Sequence, residues 1–210
     1  STQVRIGIHI LHGLKQIHDI GFIHRDIKPA NLAIGFRGTP DERVINILDF
    51  GLSRQYIIED RATGQMKMRR ARTNILFRGT TRYCSMATHD RLEQGRCDDL
   101  WSLLYVLVEC RSRLPWAHLW DKSEVAEKKM RTDDVELLKN CPVQMLEFST
   151  HIRSLTYYNR PDYLHLYNLL VDVMIDGGFR FTDRWDWEPE SRRGVVNTSR
   201  ERIRPSGEKL

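Results

Sequence analysis

Two short polar segments constrain this chain more than any other feature of its sequence. His24-Arg25-Asp26-Ile27-Lys28-Pro29-Ala30-Asn31 is followed, eighteen residues after its last residue, by Asp49-Phe50-Gly51. Each comes after an apolar, β-branched run that predicts a short buried strand, Phe22-Ile23 for the first and Val44 to Leu48 for the second. Polar side chains that leave two such strands can converge in one cleft.

The residue types in these segments fit one chemistry. Asp26 and Asp49 supply carboxylates, Asn31 supplies a neutral oxygen ligand, and Lys28 can point the same way as Asp26. Hard divalent cations prefer oxygen ligands, and magnesium needs only one or two carboxylates when phosphates complete its shell. A carboxylate, a cation and two magnesium ligands are the parts that phosphoryl transfer requires.

At this point the sequence resembles the eukaryotic protein kinases. His24 to Asn31 is similar to their catalytic loop and Asp49-Phe50-Gly51 to their magnesium-binding motif. The position of Lys28, two residues after Asp26, resembles the pattern of the serine/threonine kinases. These kinases use ATP and Mg²⁺. The resemblance implies that Asp26 accepts or orients the proton of the substrate hydroxyl, that Asn31 and Asp49 bind magnesium, and that Lys28 contacts the γ-phosphate.

Further segments narrow the resemblance to the casein kinase I superfamily, on its tau-tubulin kinase side. Gly79-Thr80-Thr81-Arg82-Tyr83 resembles the substrate-facing end of the activation segment, and Asp98 to Leu103 the start of the buried central helix, where Asp99 is implied to brace the catalytic loop. Other matches are Leu114-Pro115-Trp116, Lys128-Lys129-Met130, Arg160-Pro161-Asp162-Tyr163 and, for the tau-tubulin side, Phe77 to Thr80 with Ser1-Thr2 and Gly21-Phe22.

Two departures from the family pattern shape the expectation. Ser85-Met86-Ala87 stands where the family has Ala-Pro-Glu, so Arg160 is expected to lose its usual glutamate partner. No glycine-rich loop and no lysine-bearing strand precede the catalytic loop, since Lys15 lies in a predicted helix. We therefore expect the large lobe of a serine/threonine kinase without its small lobe; the alternative is a catalytically inactive kinase-like module that binds acidic partners.

The predicted fold is mostly α, the helical lobe of an α+β kinase-like fold, in two parts. Residues 1–188 form the partial kinase domain, and residues 189–210 form a basic tail predicted to be disordered. From Gly51 to about Arg82 no periodicity survives, which predicts a long loop. Apolar periodicity predicts a helix over Val4–Ile20, and a sequence that is apolar on nearly all faces predicts a core helix over Asp98–Glu109. Three further helices are expected over Ser123–Met130, Gln144–Leu155 and Pro161–Ile175.

The charge is unevenly distributed. The chain of 210 residues carries +5, yet the stretch from Arg61 to Arg82 has seven basic residues and no acidic one. A solvated face is the ordinary interpretation of such a run; its place beside the predicted active site favours docking of acidic or phosphorylated protein substrates through Arg69, Arg70 and Arg72. Arg25 either binds a phosphate on the activation segment or braces the backbone.

Other classes are disfavoured. The longest apolar run, Leu100 to Val108, is too short to span a bilayer, and four scattered cysteines favour reduced thiols in the cytosol or nucleus. Without aromatic residues among its arginines, the tail gives no reason to expect specific nucleic-acid binding. The sequence leaves the oligomeric state open.

Overall fold

A computed structural model describes residues 1–188, so the predicted basic tail lies outside the described residues. Seven α-helices form most of the regular secondary structure in this part of the chain. Their bounds are α1 Thr2–Asp19, α2 Met86–His89, α3 Arg96–Glu109, α4 Lys122–Arg131, α5 Asp134–Leu138, α6 Gln144–Arg153 and α7 Tyr163–Asp176. The prediction of a mostly helical domain is confirmed.

Helix α3 lies at the centre of the core. Its residues from Leu103 to Val108 are all buried, as its nearly continuous apolar sequence predicts. α1 packs against both α3 and α7, and its Ile10 and Leu14 are fully buried. Helix α3 begins at Arg96, two residues before the predicted start. Asp98 caps this end of α3 by accepting the N–H of Gly95 at 2.6 Å.

Within residues 1–188, six short strands of two or three residues each form three antiparallel pairs. β1 (Phe22–Ile23) pairs with β4 (Arg54–Gln55), and β2 (Leu32–Ile34) pairs with β3 (Ile45–Ile47). β5 (Ile57–Glu59) and β6 (Met66–Met68) form a hairpin. β1 and the central part of the predicted 44–48 strand are where the sequence places them.

The predicted long loop from Gly51 to Arg82 is wrong in its first half. β4, β5 and β6 all lie in it, and Gly64 turns the hairpin with a φ of +68°. Strands of two or three residues are too short to show an alternating pattern, and this hairpin is largely exposed. Helices α2 and α5 are missed for a similar reason, since each is only one turn or slightly more.

The strand pairs place the two polar segments side by side. The first segment joins β1 to β2, and the second follows β3 directly. The backbone N–H of Leu48 donates to the carbonyl of Asn31 at 2.8 Å, which ties the ends of the segments together. Among residues 1–188, no helix is long and apolar enough to cross a membrane.

Candidate active site

Asp26 is the centre of a compact polar cluster. Its Oδ2 accepts the ammonium of Lys28 at 2.6 Å, and its Oδ1 accepts the hydroxyl of Thr80 at 2.7 Å. Lys28 also donates to the Thr80 hydroxyl at 3.1 Å. Only 7% of the Asp26 side chain is exposed, so these bonds replace water that burial has removed.

The balance of burial and hydrogen bonding sets the charge of Asp26. Burial raises the pKa of this carboxyl, but the hydrogen bonds from Lys28 and Thr80 outweigh burial and hold the pKa below its ordinary value. Asp26 is therefore a carboxylate at neutral pH. A carboxylate in this state can accept a hydrogen bond from a hydroxyl and orient it.

Asn31 belongs to this cluster, and Asp49 follows β3, the strand that pairs with β2 directly after Asn31. The Nδ2 of Asn31 donates to the backbone oxygen of Asp26 at 2.9 Å, which turns the amide oxygen away from that contact. Asp49 is exposed and adopts a left-handed backbone with a φ of +61°, and its Oδ1 accepts the N–H of Gly51 at 3.1 Å. The left-handed residue turns the chain sharply at the end of β3.

His24 connects the two segments. Its Nε2 lies 3.0 Å from the carbonyl oxygen of Leu48, and its Nδ1 accepts the N–H of Asp26 at 3.3 Å. These contacts require the ring proton on Nε2. The ring also packs edge-on against Phe50 with 5.1 Å between centroids. His24 is thus a packed support of the site rather than a proton carrier.

Asp99, from the buried start of α3, holds the backbone of the first segment. It accepts the backbone N–H groups of His24 at 2.8 Å and Arg25 at 2.7 Å. Arg25 has a left-handed φ of +69°, a conformation that a non-glycine residue keeps only when its surroundings impose it. Burial raises the pKa of Asp99, but a bond from His18 and those two N–H groups lower it overall.

His18 and Tyr163 form a further layer that sequence patterns did not identify. The Nε2 of His18 lies 2.8 Å from Asp99, and its Nδ1 lies 2.6 Å from the hydroxyl of Tyr163. A series of hydrogen bonds therefore runs from Tyr163 on α7 through His18 on α1 to Asp99 on α3, and from there to the backbone of the first segment. Nothing in local spacing indicates this, because the three residues are far apart in sequence.

Gly79 brings the segment that is predicted to face the substrate against Arg25. Its φ is +115°, and a Cβ built on it would lie 2.7 Å from the carbonyl oxygen of Arg25. Only glycine meets both conditions without strain. This close approach places Thr80, the next residue, within reach of Asp26.

The residues present fit a magnesium nucleotide. Asn31 and Asp49 offer one neutral oxygen and one carboxylate, which suits Mg²⁺ when phosphates supply further ligands. Within residues 1–188, no group of three or more His, Cys, Asp or Glu side chains could hold a metal ion. Nucleotide phosphates would therefore have to complete the coordination shell.

A second polar feature lies beside the cluster. A cavity of about 590 Å³ is lined by four arginines and by Thr73. Burial lowers the pKa of Arg25 in this cavity, and the charge of Arg54 lowers it further, so positive charge is concentrated here. The arginines are Arg25, Arg54, Arg72 and Arg78.

The predicted basic run is divided among different surroundings. Arg72 lines the cavity, where the buried carboxylate of Glu93 accepts its Nε at 2.6 Å, whereas the Nε of Arg69 donates to the Gln55 carbonyl at 2.9 Å. Arg70 is exposed and does not line the cavity. The sequence missed Arg54 and Glu93, which lie outside the basic run and reach it only through the fold.

For Arg25 the sequence left two interpretations, a brace of the backbone and a binder of phosphate. Its Nε donates to the carbonyl of Leu52 at 2.6 Å, a backbone brace, and its side chain also lines the arginine cavity. Both interpretations of this residue therefore stay open. Arg160 pairs with Asp19 at 2.8 Å.

The helical body, the short strand pairs and the Asp26 cluster with Lys28 and Asn31 define the class of protein as a protein kinase domain. The family model described as protein kinase domain matches residues 2–168. The chain belongs to that family.

Curated relatives agree with this assignment. A Caenorhabditis elegans protein provisionally named a serine/threonine-protein kinase is 53% identical over 197 residues, covering 94% of this chain and 56% of the relative. A Dictyostelium discoideum protein with a similar provisional name is 38% identical over 197 residues, covering 93% and 38%. An inactive tau-tubulin kinase of C. elegans is 35% identical over 193 residues, covering 90% and 67%. The chain thus spans about half the length, or less, of the first two relatives.

Proposed function

We propose that this chain is the large lobe of a serine/threonine protein kinase of the casein kinase I superfamily, on its tau-tubulin kinase side. The observation that carries the proposal is the convergence of Lys28, Thr80 and Asn31 on the Asp26 carboxylate. A carboxylate held ionised, with a cation beside it, suits a site that receives a hydroxyl and a phosphoryl group. The relatives' names support the serine/threonine assignment.

In this proposal each side chain has one task. Asp26 accepts the hydrogen bond of the protein hydroxyl and orients its oxygen, and Lys28 balances negative charge beside it. Asn31 and Asp49 would hold Mg²⁺, and a bound ion supplies charge neutralisation on the ATP phosphates. Thr80 fixes Lys28 and Asp26 relative to one another through its hydroxyl.

The arginine cavity supports a preference for acidic or phosphorylated protein substrates. Arginine forks bind phosphate and carboxylate groups through paired hydrogen bonds, and a partly enclosed cavity strengthens such contacts. Glu93 neutralises part of the charge, since it pairs with both Arg72 and Arg54. Of the residues predicted from sequence, Arg72 and Arg25 belong to this proposal, whereas Arg69 and Arg70 lie outside the cavity.

The substrate preference can be tested by binding, without catalysis. Titrations of the 210-residue chain with a serine-phosphorylated peptide and its unphosphorylated counterpart should show preference for the first. Arg78→Gln should reduce that preference, whereas Arg70→Gln, a matched change outside the cavity, should not. Equal loss in the two variants would assign the effect to general surface charge.

A second candidate is a catalytically inactive kinase-like module that binds acidic partners. The inactive tau-tubulin kinase relative favours it. Calorimetric titration of the 210-residue chain with Mg-ATP, together with a phosphotransfer assay on the longest natural protein that carries this chain, separates the two. Phosphotransfer that Asp26→Asn abolishes supports the kinase, and its absence from the wild-type protein supports the module.

A further inference from the structure

The substrate-facing segment Gly79–Ser85 holds Thr80 against Asp26, so its own conformation must be stabilised by contacts with the rest of the domain. Arg160 is not that support, since its guanidinium pairs with Asp19 in the described structure. The Ser85 hydroxyl donates to the buried Asp98, which ties the end of the segment to α3. Its middle must be held by other contacts.

Lys129, on α4, makes two of the contacts that hold the main chain of the segment. Its ammonium donates to the backbone carbonyl of Cys84 at 2.6 Å and to that of Thr81 at 2.9 Å. The side chain is buried, with 5% of the residue exposed. In the part of the chain that the structure describes, no carboxylate lies within ion-pair distance of it.

Aromatic rings complete the surroundings of the ammonium. Its Nζ lies 5.0 Å from the ring centroid of Tyr105 and 5.2 Å from that of Trp116. Such faces favour a cation within about 6 Å. Burial lowers the pKa of Lys129 to about 8, so at pH 7 the ammonium form predominates and supplies its full set of donors.

The bonds go to the main chain of the segment, so they fix its backbone and not one side chain. The indole of Trp116 adds a third bond of the same kind, to the carbonyl of Arg82 at 2.9 Å. Three carbonyls of the segment, those of Thr81, Arg82 and Cys84, are thereby tied to α4 and to the loop before it. A backbone held at these points keeps the hydroxyl of Thr80 in register with Asp26.

We propose that Lys129 is a positioning residue that holds Gly79–Ser85 in its substrate-receiving conformation through the carbonyls of Thr81 and Cys84. The importance of that conformation for phosphotransfer rests on the proposed function. The stabilisation of the segment by Lys129, called the hold below, is a property of the chain and can be measured without any activity.

Hydrogen exchange of the 210-residue chain tests the hold. In Lys129→Met, amides of residues 79–85 should exchange about tenfold faster or more, because two carbonyls lose their donor. Amides of residues 103–108 in α3 should keep their wild-type rates. Lys129→Arg, which retains a cation and donors, should recover part of the protection. The matched control is Lys128→Met, whose lysine pairs with Glu136 instead.

Two exchange results would overturn the inference. One is a wild-type exchange rate for residues 79–85 in Lys129→Met, and the other is equal acceleration in residues 103–108, which would mean a general loss of stability.

If Lys129→Met does not fold, limited acetylation of the wild-type chain provides the test. A lowered pKa makes an accessible amine more reactive, so slower acetylation of Lys129 than of Lys128 supports the hold, and equal or faster acetylation contradicts it.

Phosphotransfer by the longest natural protein that carries this chain supplies a separate readout. Lys129→Met should raise the peptide KM about tenfold and leave the KM for ATP unchanged, and Lys129→Arg should restore part of the loss. An unchanged peptide KM would refute the link to substrate positioning. If the wild-type protein transfers no phosphoryl group, the proposed function fails, while the exchange experiment still decides whether Lys129 holds the segment.

Discussion

Asp98 and Asp99 are adjacent buried carboxyls at the start of α3, and replacing each with asparagine should have very different effects on stability. Every group that faces Asp99 is a donor: the N–H of Arg25 on Oδ1, and the N–H of His24 with His18 Nε2 on Oδ2. Asparagine has one acceptor oxygen, so its NH₂ must face at least one of these donors.

The surroundings of Asp98 are more permissive. Its Oδ2 accepts the N–H of Gly95, and its Oδ1 accepts the Ser85 hydroxyl. A hydroxyl can also accept, so asparagine can satisfy both partners. Burial raises the pKa of Asp98, whereas that of Asp99 is lowered overall, so removing the charge is less costly at Asp98.

The magnitudes follow from these partners. Asp99→Asn loses at least one hydrogen bond to a charged acceptor and weakens two others, which amounts to about 3–5 kcal/mol of unfolding free energy. Asp98→Asn should cost about 1 kcal/mol. Urea unfolding of the 210-residue chain at pH 7, followed by tryptophan fluorescence, measures both. Equal losses, or a larger loss for Asp98→Asn, would refute the assignment of Asp99 as the backbone support.

Three further predictions concern single sites. Gly79→Ala should destabilise the chain by about 1–3 kcal/mol more than Gly38→Ala, because both have positive φ but only Gly79 lacks room for a Cβ; equal losses would contradict the close approach to Arg25. Burial lowers the pKa of His89 to about 4, below an unfolded value near 6.5, so its contribution to stability is complete above pH 6.5 and falls by about 3 kcal/mol by pH 4. Urea unfolding of His89→Gln between pH 4 and 7 should lack that component of the acid loss, whereas the control His118→Gln should keep it. Ellman's reagent should modify Cys110 well before Cys97, because Cys110 is exposed and burial raises the pKa of Cys97; faster reaction at Cys97 would contradict the core packing.

Sequence patterns predicted the parts of the fold that depend on local order. The apolar spacing of Ile10 and Leu14 predicted α1, because burial of one helix face leaves a period. The apolar run after Asp99 predicted α3, because burial on all faces leaves a continuous apolar sequence. The strands β4, β5 and β6 left no such trace, because two or three residues cannot establish alternation.

The candidate site divides in the same way. Asp26, Lys28 and Asn31 lie within six positions, so their spacing alone indicated one cluster. The partners of the arginine cavity come from separate elements, and Glu93 reaches Arg72 and Arg54 only through tertiary folding. A basic run therefore indicated that positive charge is concentrated but could not indicate which arginines share a cavity.

The central claim is that Asp26 serves phosphoryl transfer. The most direct test is transfer of radiolabelled γ-phosphoryl from Mg-ATP to a serine- or threonine-containing protein by the longest natural protein that carries this chain. Asp26→Asn should lower kcat by about a hundredfold or more, with unfolding free energy close to that of the wild type, whereas Asp172→Asn, on the exposed face of α7, should be fully active. Phosphotransfer by Asp26→Asn at the wild-type rate would contradict the account.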